Sequence, residues 1–435
     1  MTYRPVEAIR VHAWGRVVGA IARNPATGQL AFRYDRDWVA GGVELAPLHM
    51  PLSDRVYEFP GLSIDTFRGL PPLLADALPD RFGNALVDRW MAEQGVAPGA
   101  FTVLDRLAYA ADRAMGALEF EPAVGPTSGD RASAVQLADL VLAARSTVAG
   151  EPTAVDQGIL EQLIAVGTSA GGARAKAVVA YHPGTGQIRS AYKDLDEGFE
   201  HWLFKLAGVS GVPLDGHATG LDASGPYGRV EYAYSLMARA AGVEMSPCDL
   251  LAEGPRRHFI TRRFDRAVDG TKHHVISLCA LAHLDFNLIG VHSYDQYLAT
   301  VTALGLGPDA LEQAFRRMVF NVAAANCDDH TKNLAFVRRD GGGWQLAPAF
   351  DVTFAHDPAS TWTRQHLMSV NGRVLDIGIA DLHAVGERHE VPGYRHVVRE
   401  VLAAVARWPE FAAAAEVPAD ASDHIAAVLH DHRPH

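Results

Sequence analysis

The chain is expected to fold as an α+β protein of two lobes, and three features of its sequence predict this. Strand-type runs separated by turn residues open it. From Gly167 onward the pattern runs β-rich, one helix, β-rich and then α-rich. Polar clusters fall at the joints between those stretches, where a cleft between lobes would lie. With 435 residues, 48% of them hydrophobic and 21% charged, the chain is long enough for two to three domains with a well-buried core.

Taken in order, "EAIRVHAW", "GRVVGAIARN" and "GQLAFRYD" read as strands bounded by turn residues. A proline-laced loop, "PLHMPLSDRVYEFPG", leads to the helical stretch "LPDRFGNALVDRWMAEQG", with Gly95 as its stop. "DRLAYAADRAMGALEFEPAV" reads as helix, turn and strand, and "GPTSGDRAS" (125–133) is the linker by composition. Helical periodicity follows at 134–145 and 157–166. "GTSAGGARAKAVVAYHPGTGQIRSAYKD" is a loop entering a strand, a hairpin turn and a second strand, and "EHWLFKLAG" is a third. "GRVEYAYSLMARAAG" has the pattern of an amphipathic helix ended by Gly242. "RHFITRRFDRAVDGTKHHVIS" reads as two strands around "VDGT". Beyond Ser277 the chain is mostly helical, interrupted by "NLAFVRRDGGGWQLAPAFDV".

The net charge of -12 argues against nucleic-acid binding through the whole surface. No apolar run approaches the ~18 residues of a membrane span, and "MTYRPVEAIRVHAW" lacks the layout of a signal peptide. The three cysteines, Cys248, Cys279 and Cys327, form no C-x-x-C pair. They fit a reducing cytoplasm, with neither a disulfide framework nor a zinc site.

The chemistry concentrates in "NCDDHTKN" (326–333), which follows the apolar run "MVFNVAAA". A helix is expected to end near Ala325, the polar loop to feed the strand "LAFV", and "RRDGGG" to reverse the chain into "WQLAP" just before Asp351. Such a hairpin lets Asp328, Asn333 and Asp351 converge. An Asp, an Asn five residues on and a second Asp beyond a hairpin is the oxygen-ligand layout of a phosphoryl-transfer site, since Mg²⁺ prefers carboxylate and amide oxygens beside phosphate. The bland alternative is a helix end and a solvated turn. Asp329 competes with Asp328 for the role of base; the spacing to Asn333 favours Asp328. His330 and Lys332 either orient the loop or touch phosphate. A Cys327–His330 nucleophile pair lacks any accompanying oxyanion-hole signature.

Three further segments bear on the same chemistry. "VGTSAGGARAKAVVAY" (166–181) brings glycines and small residues before an apolar strand, suited to close approach of backbone to phosphate. It is neither a Walker A loop nor G-x-G-x-x-G, and alone it reads as a flexible loop. Lys205 lies in an apolar strand and must find a counter-charge or reach solvent; Glu231 is its candidate partner, and an edge-strand lysine is the alternative. "TRRFDR" (261–266) offers backbone groups to an adenine edge with Phe264 against the ring, or else a turn salt-bridged through Arg263, Asp265 and Arg266.

Together these pieces resemble the HipA family, the serine/threonine kinase toxins of bacterial type II toxin–antitoxin systems. "GRVVGAIARNPATGQLAFRYDRDWV", "LLADALPDRFGNALVDRWM" and "MGALEFEP" are similar to its N-terminal subdomain; "SAGGARAK", "FKL", "RRFDR", "DDHTKN" and "PAFDV" are similar to its kinase core, in order. The resemblance implies a two-lobed protein-kinase-like fold with a β-rich N-terminal subdomain and an all-α C-terminal lobe. Its segments would be a HipA-like subdomain at 1–125, a kinase N-lobe at 126–270 and a helical C-lobe at 271–435. It implies Asp328 as catalytic aspartate, and Asn333 and Asp351 as Mg²⁺ ligands. The ATP site would take Gly171, Gly172, Ala173, Arg174, Ala175 and Lys176 as phosphate loop and Lys205 on the phosphates. Arg262, Arg263 and Phe264 would line the adenine, with His330, Thr331, Lys332, Asn333, Phe350 and Asp351 around them. Ser169 matches the family's autophosphorylated serine, and Thr168 is the alternative. The adenine-side segment, often "ERFDR" in the family, reads "RRFDR" here, so the contacts the resemblance implies for Arg262 are those of its backbone.

A protein substrate such as an aminoacyl-tRNA synthetase, a small helix-turn-helix antitoxin and DNA contacted through that antitoxin are the implied partners. Two rivals remain. Aminoglycoside and choline kinases share an Asp-x-His-x-x-Asn loop but lack the N-terminal region. A catalytically inert ATP-binding co-repressor would not need the Asp328, Asn333, Asp351 and Lys205 set.

Overall fold

The computed structural model describes residues 3–97, 99–124, 141, 144, 175–190, 195–209 and 225–435. The chain divides into two compact units. The first comprises Met1–Gly211, Arg262–His283 and Val337–Gly343; the second comprises Val212–Thr261, Leu284–Phe336 and Trp344–His435. These units group residues by contact, whereas the three segments expected from the sequence divide the chain by its linear order. The linker at 125–133, the helix at 157–166, Thr168, Ser169 and the phosphate-loop residues 171–174 lie outside the described residues. The class is the expected α+β, with a β-rich N-terminal region and a helical C-terminal region in which short strands are interleaved.

In the first unit, a five-stranded antiparallel sheet runs in the order Val56–Tyr57, Leu30–Tyr34, Arg16–Arg23, Ala8–Ala13, Leu118–Glu121. Alternation explains the first strand: Ile9, Val11 and Ala13 are buried while Ala8 and Arg10 face water. Gly19 is required where two strands press together, because a Cβ there would sit 2.3 Å from the Arg33 carbonyl oxygen. The helix Arg81–Glu93 starts at Asp80, whose carboxylate accepts from the Gly83 amide at 2.6 Å. It stops at Gly95 in the left-handed region (φ 75°), as the sequence predicts.

The strand Lys176–His182 lies between Gln187–Ser190 and Glu200–Lys205, antiparallel to both. Six of its seven residues are buried, so it reads as a continuous apolar run rather than an alternating one. Lys176 and Lys205 are direct cross-strand partners. Like charges placed opposite each other repel, and the buried Lys176 ammonium lies 3.8 Å from the Asp80 carboxylate.

The segment "RRFDR" forms the salt-bridged turn. Asp265 is fully buried and accepts from Arg263 Nε (2.8 Å) and Nη2 (2.6 Å), from Arg266 Nη1 (2.8 Å) and from the Gly116 amide (2.8 Å). Burial pushes its carboxyl up, but the Arg263 and Arg266 guanidiniums outweigh that and hold it well below the usual range. Arg266 is pulled down to about 10, by burial first and then by the like charge of Arg263. Arg262 points elsewhere, to Glu200 at 3.1 Å on the exposed side.

The second unit is organised by the helix Pro308–Ala323, whose residues 314–323 are all buried. Around it pack the helices Tyr294–Ala303 and Tyr394–Val405. The helix Tyr227–Ala240 ends at Gly242 (φ 77°), as expected. The strand Cys248–Glu253, paired with Arg256–Arg262, is an addition that the apolar pattern does not announce, since its residues are all exposed or half-buried. Buried Arg316 is paired with Glu312 (2.6 Å), Glu400 (2.9 Å) and the Ala241 carbonyl (2.8 Å), which keeps a charge tolerable in this core. Among the described residues no helix is long and apolar enough to cross a membrane.

The Asp265 cluster yields a stability prediction. Its folded pKa is depressed below the ~3.9 of an unfolded aspartate, so its stabilisation is full above that pH and is lost as the pH falls toward the folded value. Asp265→Asn leaves two guanidiniums buried without their carboxylate and is expected to cost roughly 3–5 kcal/mol at neutral pH in urea denaturation. That difference from wild type should shrink below about pH 4.

Candidate active site

The loop 326–333 starts where the buried helix stops. The Ala324 amide still reaches Phe320, Ala325 turns through the left-handed region (φ 49°), and the Asn326 amide returns to the Asn321 carbonyl at 3.0 Å. The Ala324 carbonyl accepts from the Tyr234 hydroxyl at 2.8 Å. A short parallel bridge then joins Asn326 to Ala355, with the Cys327 amide on the Ala355 carbonyl (3.0 Å) and the Ala355 amide on the Ala325 carbonyl (3.2 Å). The loop is thereby tied to the segment that follows Asp351.

The two adjacent carboxylates have opposite environments. Asp329 is buried, 2% exposed. It accepts from the Tyr294 hydroxyl (2.9 Å), His366 Nδ1 (2.9 Å) and the Leu367 amide (2.7 Å). Behind it Asn321 donates to the Tyr294 hydroxyl (2.8 Å), and Asn326 donates to Asn321 (2.9 Å). Burial acts to lower the His366 pKa, but Cys327 and Asp329 beside the ring hold it well above the ordinary histidine range. The Asp328 side chain, by contrast, is 35% exposed. Its Oδ1 accepts from the Trp362 indole N–H at 2.7 Å, and His330 Nε2 lies 3.7 Å from the same oxygen.

Residues 331–333 form one 3₁₀ turn. Buried Thr331 donates its hydroxyl to the Leu284 carbonyl at 2.8 Å, so that side chain serves the loop's own structure. Asn333 donates Nδ2 to the Asp328 carbonyl at 2.9 Å. That bond assigns the amide orientation and presents Oδ1 as the atom for a cation. The Lys332 ammonium stands 4.6 Å from the Phe286 ring centroid.

Asn333 and Asp351 line one pocket together with Phe350, Asp329, Asn321, Asn326 and Arg317. Asp351 itself takes φ 55°, the left-handed region that costs an L-aspartate about 1 kcal/mol or more. A carboxylate and an amide oxygen in one pocket form a hard-oxygen donor pair of the kind Mg²⁺ takes. Cys327 is buried with its Sγ 3.8 Å from His356 and 4.0 Å from His366.

Of the residues singled out from the sequence, Asp328 and Asn333 are joined by a hydrogen bond, and Asn333, Phe350 and Asp351 share a pocket. Lys176, Lys205, Arg262, Arg263 and Phe264 belong to the first unit and Glu231 to the second. Thr168, Ser169, Gly171, Gly172, Ala173 and Arg174 lie outside the described residues; Ala175 and Lys176 are described and buried. Sequence reasoning passed over Trp362, Tyr294 and His366. They touch the loop across 34 to 37 residues of chain, and no spacing rule reaches that far. A tryptophan in the polar stretch "DPASTWTRQ" was the one available signal.

Family models describe what the chain is similar to. The HipA N-terminal domain matches residues 9–121 and the HipA-like C-terminal domain matches residues 168–425. No curated protein matches the chain. Among solved structures, the HipA, HipB and operator DNA complex of the Shewanella oneidensis MR-1 toxin–antitoxin system is similar with a TM-score of 0.66 at 16% identity, over 98% of this chain and 95% of that one. The proinflammatory kinase CtkA of Helicobacter pylori matches over 60% of this chain and 93% of that one at 12% identity, with a TM-score of 0.33, too low to bear on the fold.

The Asp329–His366 pair gives a pH dependence. His366 has its folded pKa raised, so its stabilisation is full below the ordinary ~6.5 and is lost as pH rises through the folded value. The stability difference between wild type and His366→Gln, measured by urea denaturation, should therefore be largest below about pH 6.5 and narrow above it. Asp329→Asn is expected to destabilise by roughly 3–5 kcal/mol, the range for breaking one side of a buried pair.

Proposed function

The chain belongs to the HipA family, and on that premise we propose that it is an ATP-dependent serine/threonine protein kinase with Asp328 as its catalytic base. One observation carries this reading: the Asn333 amide is bonded to the Asp328 carbonyl, which couples the base to a cation ligand that shares a pocket with Asp351. Asp328 is favoured over its neighbour because its carboxylate reaches solvent, while both oxygens of Asp329 are engaged inside the core. Family membership extends over the N-terminal domain, which weighs against a small-molecule kinase.

In this mechanism Asp328 orients the acceptor hydroxyl and takes its proton as the new O–P bond forms and the bond to the ADP oxygen breaks. Asn333 Oδ1 and Asp351 would hold Mg²⁺, which when bound supplies neutralisation of charge on the transferred phosphoryl group. Lys205 would contact the ATP phosphates, with Glu231 as its ionic partner, and the loop 171–176 would cover them. The backbone of Arg262–Phe264 would face the adenine; the Arg263 side chain is already committed to Asp265. His330, Thr331, Lys332 and Phe350 shape the surroundings.

The substrate in this reading is a protein, such as an aminoacyl-tRNA synthetase, and Ser169 or Thr168 is the site of autophosphorylation. A small helix-turn-helix antitoxin is the proposed partner. The Shewanella relative is found with HipB and operator DNA, and a chain of net charge -12 would meet DNA mainly through such a partner.

Mass spectrometry of the purified chain after incubation with Mg²⁺ and ATP tests the reading. One phosphate on the peptide carrying Thr168 and Ser169 is expected in wild type and none in Asp328→Asn. Phosphate on that peptide in the variant would sink the base assignment. ATP bound without any transfer, to itself or to proteins of a lysate, would support an inert co-repressor instead.

A further inference from the structure

We propose that Trp362 is a positioning residue for phosphoryl transfer: its indole N–H holds one oxygen of the Asp328 carboxylate and turns the other toward the acceptor hydroxyl. The proposal rests on the reading of Asp328 as base. The bond is 2.7 Å long, from Nε1 to Oδ1, within the range of charge-assisted hydrogen bonds. An indole nitrogen can only donate, so it favours the ionised carboxylate, the form a base must have. His330 Nε2, at 3.7 Å from the same oxygen, is beyond hydrogen-bond reach.

The donor itself is held firmly. Trp362 is 8% exposed, and its ring meets Phe286 edge-on at 6.5 Å and His330 at 6.1 Å. Its backbone belongs to a loop closed on itself. The Trp362 and Thr363 amides both donate to Ser360 Oγ (3.1 and 3.2 Å), and the Ser360 amide donates to the Asp357 carbonyl (3.0 Å). The Ala359 amide donates to Asp357 Oδ1 (2.9 Å). A carboxylate with a third of its surface in water gains a defined rotamer from such a donor. The short loop thus contributes to Oδ1 what the buried donors contribute to Asp329. Orientation of this kind acts on the chemical step rather than on nucleotide binding.

The test compares Trp362→Phe, which keeps an aromatic ring and drops the N–H, with Trp362→His, which returns a ring donor. Steady-state ADP release from Mg²⁺·ATP, with water as acceptor, is followed at neutral pH. Trp362→Phe should lower kcat about tenfold, as expected for losing a hydrogen bond to a charged group, and leave KM for ATP within about twofold. Trp362→His should recover part of the loss, and it carries the comparison alone if the Phe variant does not fold. An unchanged kcat in Trp362→Phe overturns the proposal. So does a loss of kcat that comes with a matching rise in KM for ATP or that His does not repair, which is the signature of a structural defect. Asp328→Asn, run alongside, separates the two layers: full ADP release by that variant removes the base assignment itself, whereas an inactive Asp328→Asn beside a wild-type-like Trp362→Phe removes only the role of Trp362.

Discussion

A carboxylate taken out of water is the constraint around which the candidate site is built. Asp329 is shielded from solvent, and an unpaired charge there would cost several kcal/mol. The fold meets that cost with a hydroxyl, an imidazole and a backbone amide drawn from two separate stretches of chain. Each partner is then fixed in its turn, Tyr294 by Asn321 and Asn321 by Asn326. Asp328 immediately precedes Asp329, so the Asp328 backbone has little freedom left, and its side chain meets a shallower contact from the Trp362 indole. Two neighbouring residues of one type divide the work, one anchoring the loop and one facing outward.

The first unit handles a buried carboxylate by the same logic, with guanidinium cations as its main donors. There a single carboxylate, Asp265, serves two guanidiniums and one backbone amide. Gly116 supplies that amide from a position where a Cβ would come within 3.0 Å of the Val275 nitrogen, so a small residue and a buried ion network depend on each other. Arg263 is thereby occupied before any nucleotide is considered, and any adenine recognition at this segment falls to its backbone.

Much of this was legible in the residues. The opening strands announce themselves by period-two alternation and turn residues, and the helix ends at Gly95 and Gly242 by the need for a left-handed residue. The spacing of Asp328, Asn333 and Asp351 suggested one locus; Asn333 and Asp351 line one pocket, and Asn333 is bonded to the Asp328 carbonyl. The strand Cys248–Glu253 was not legible, since its residues are exposed or half-buried and carry no alternation. Nor were the contacts of Asp329 with His366, or of Asp328 with Trp362. Those are tertiary facts: a local pattern records which face of an element is covered, and not which distant side chain covers it. The spacing favoured Asp328 over Asp329, and what the structure adds is a difference in environment: Asp329 is enclosed and the Asp328 side chain reaches solvent.

The buried helix Pro308–Ala323 has one more consequence. Its last ten residues are enclosed, and the loop that carries Asp328 leaves directly from that enclosed end with its first amides already bonded. Local opening of the loop therefore has almost no stable intermediate to pass through. Its slowest amides should exchange with solvent hydrogen only as the second unit unfolds, so the lifetime of the site is tied to the cooperativity of the core rather than to the breathing of a surface loop.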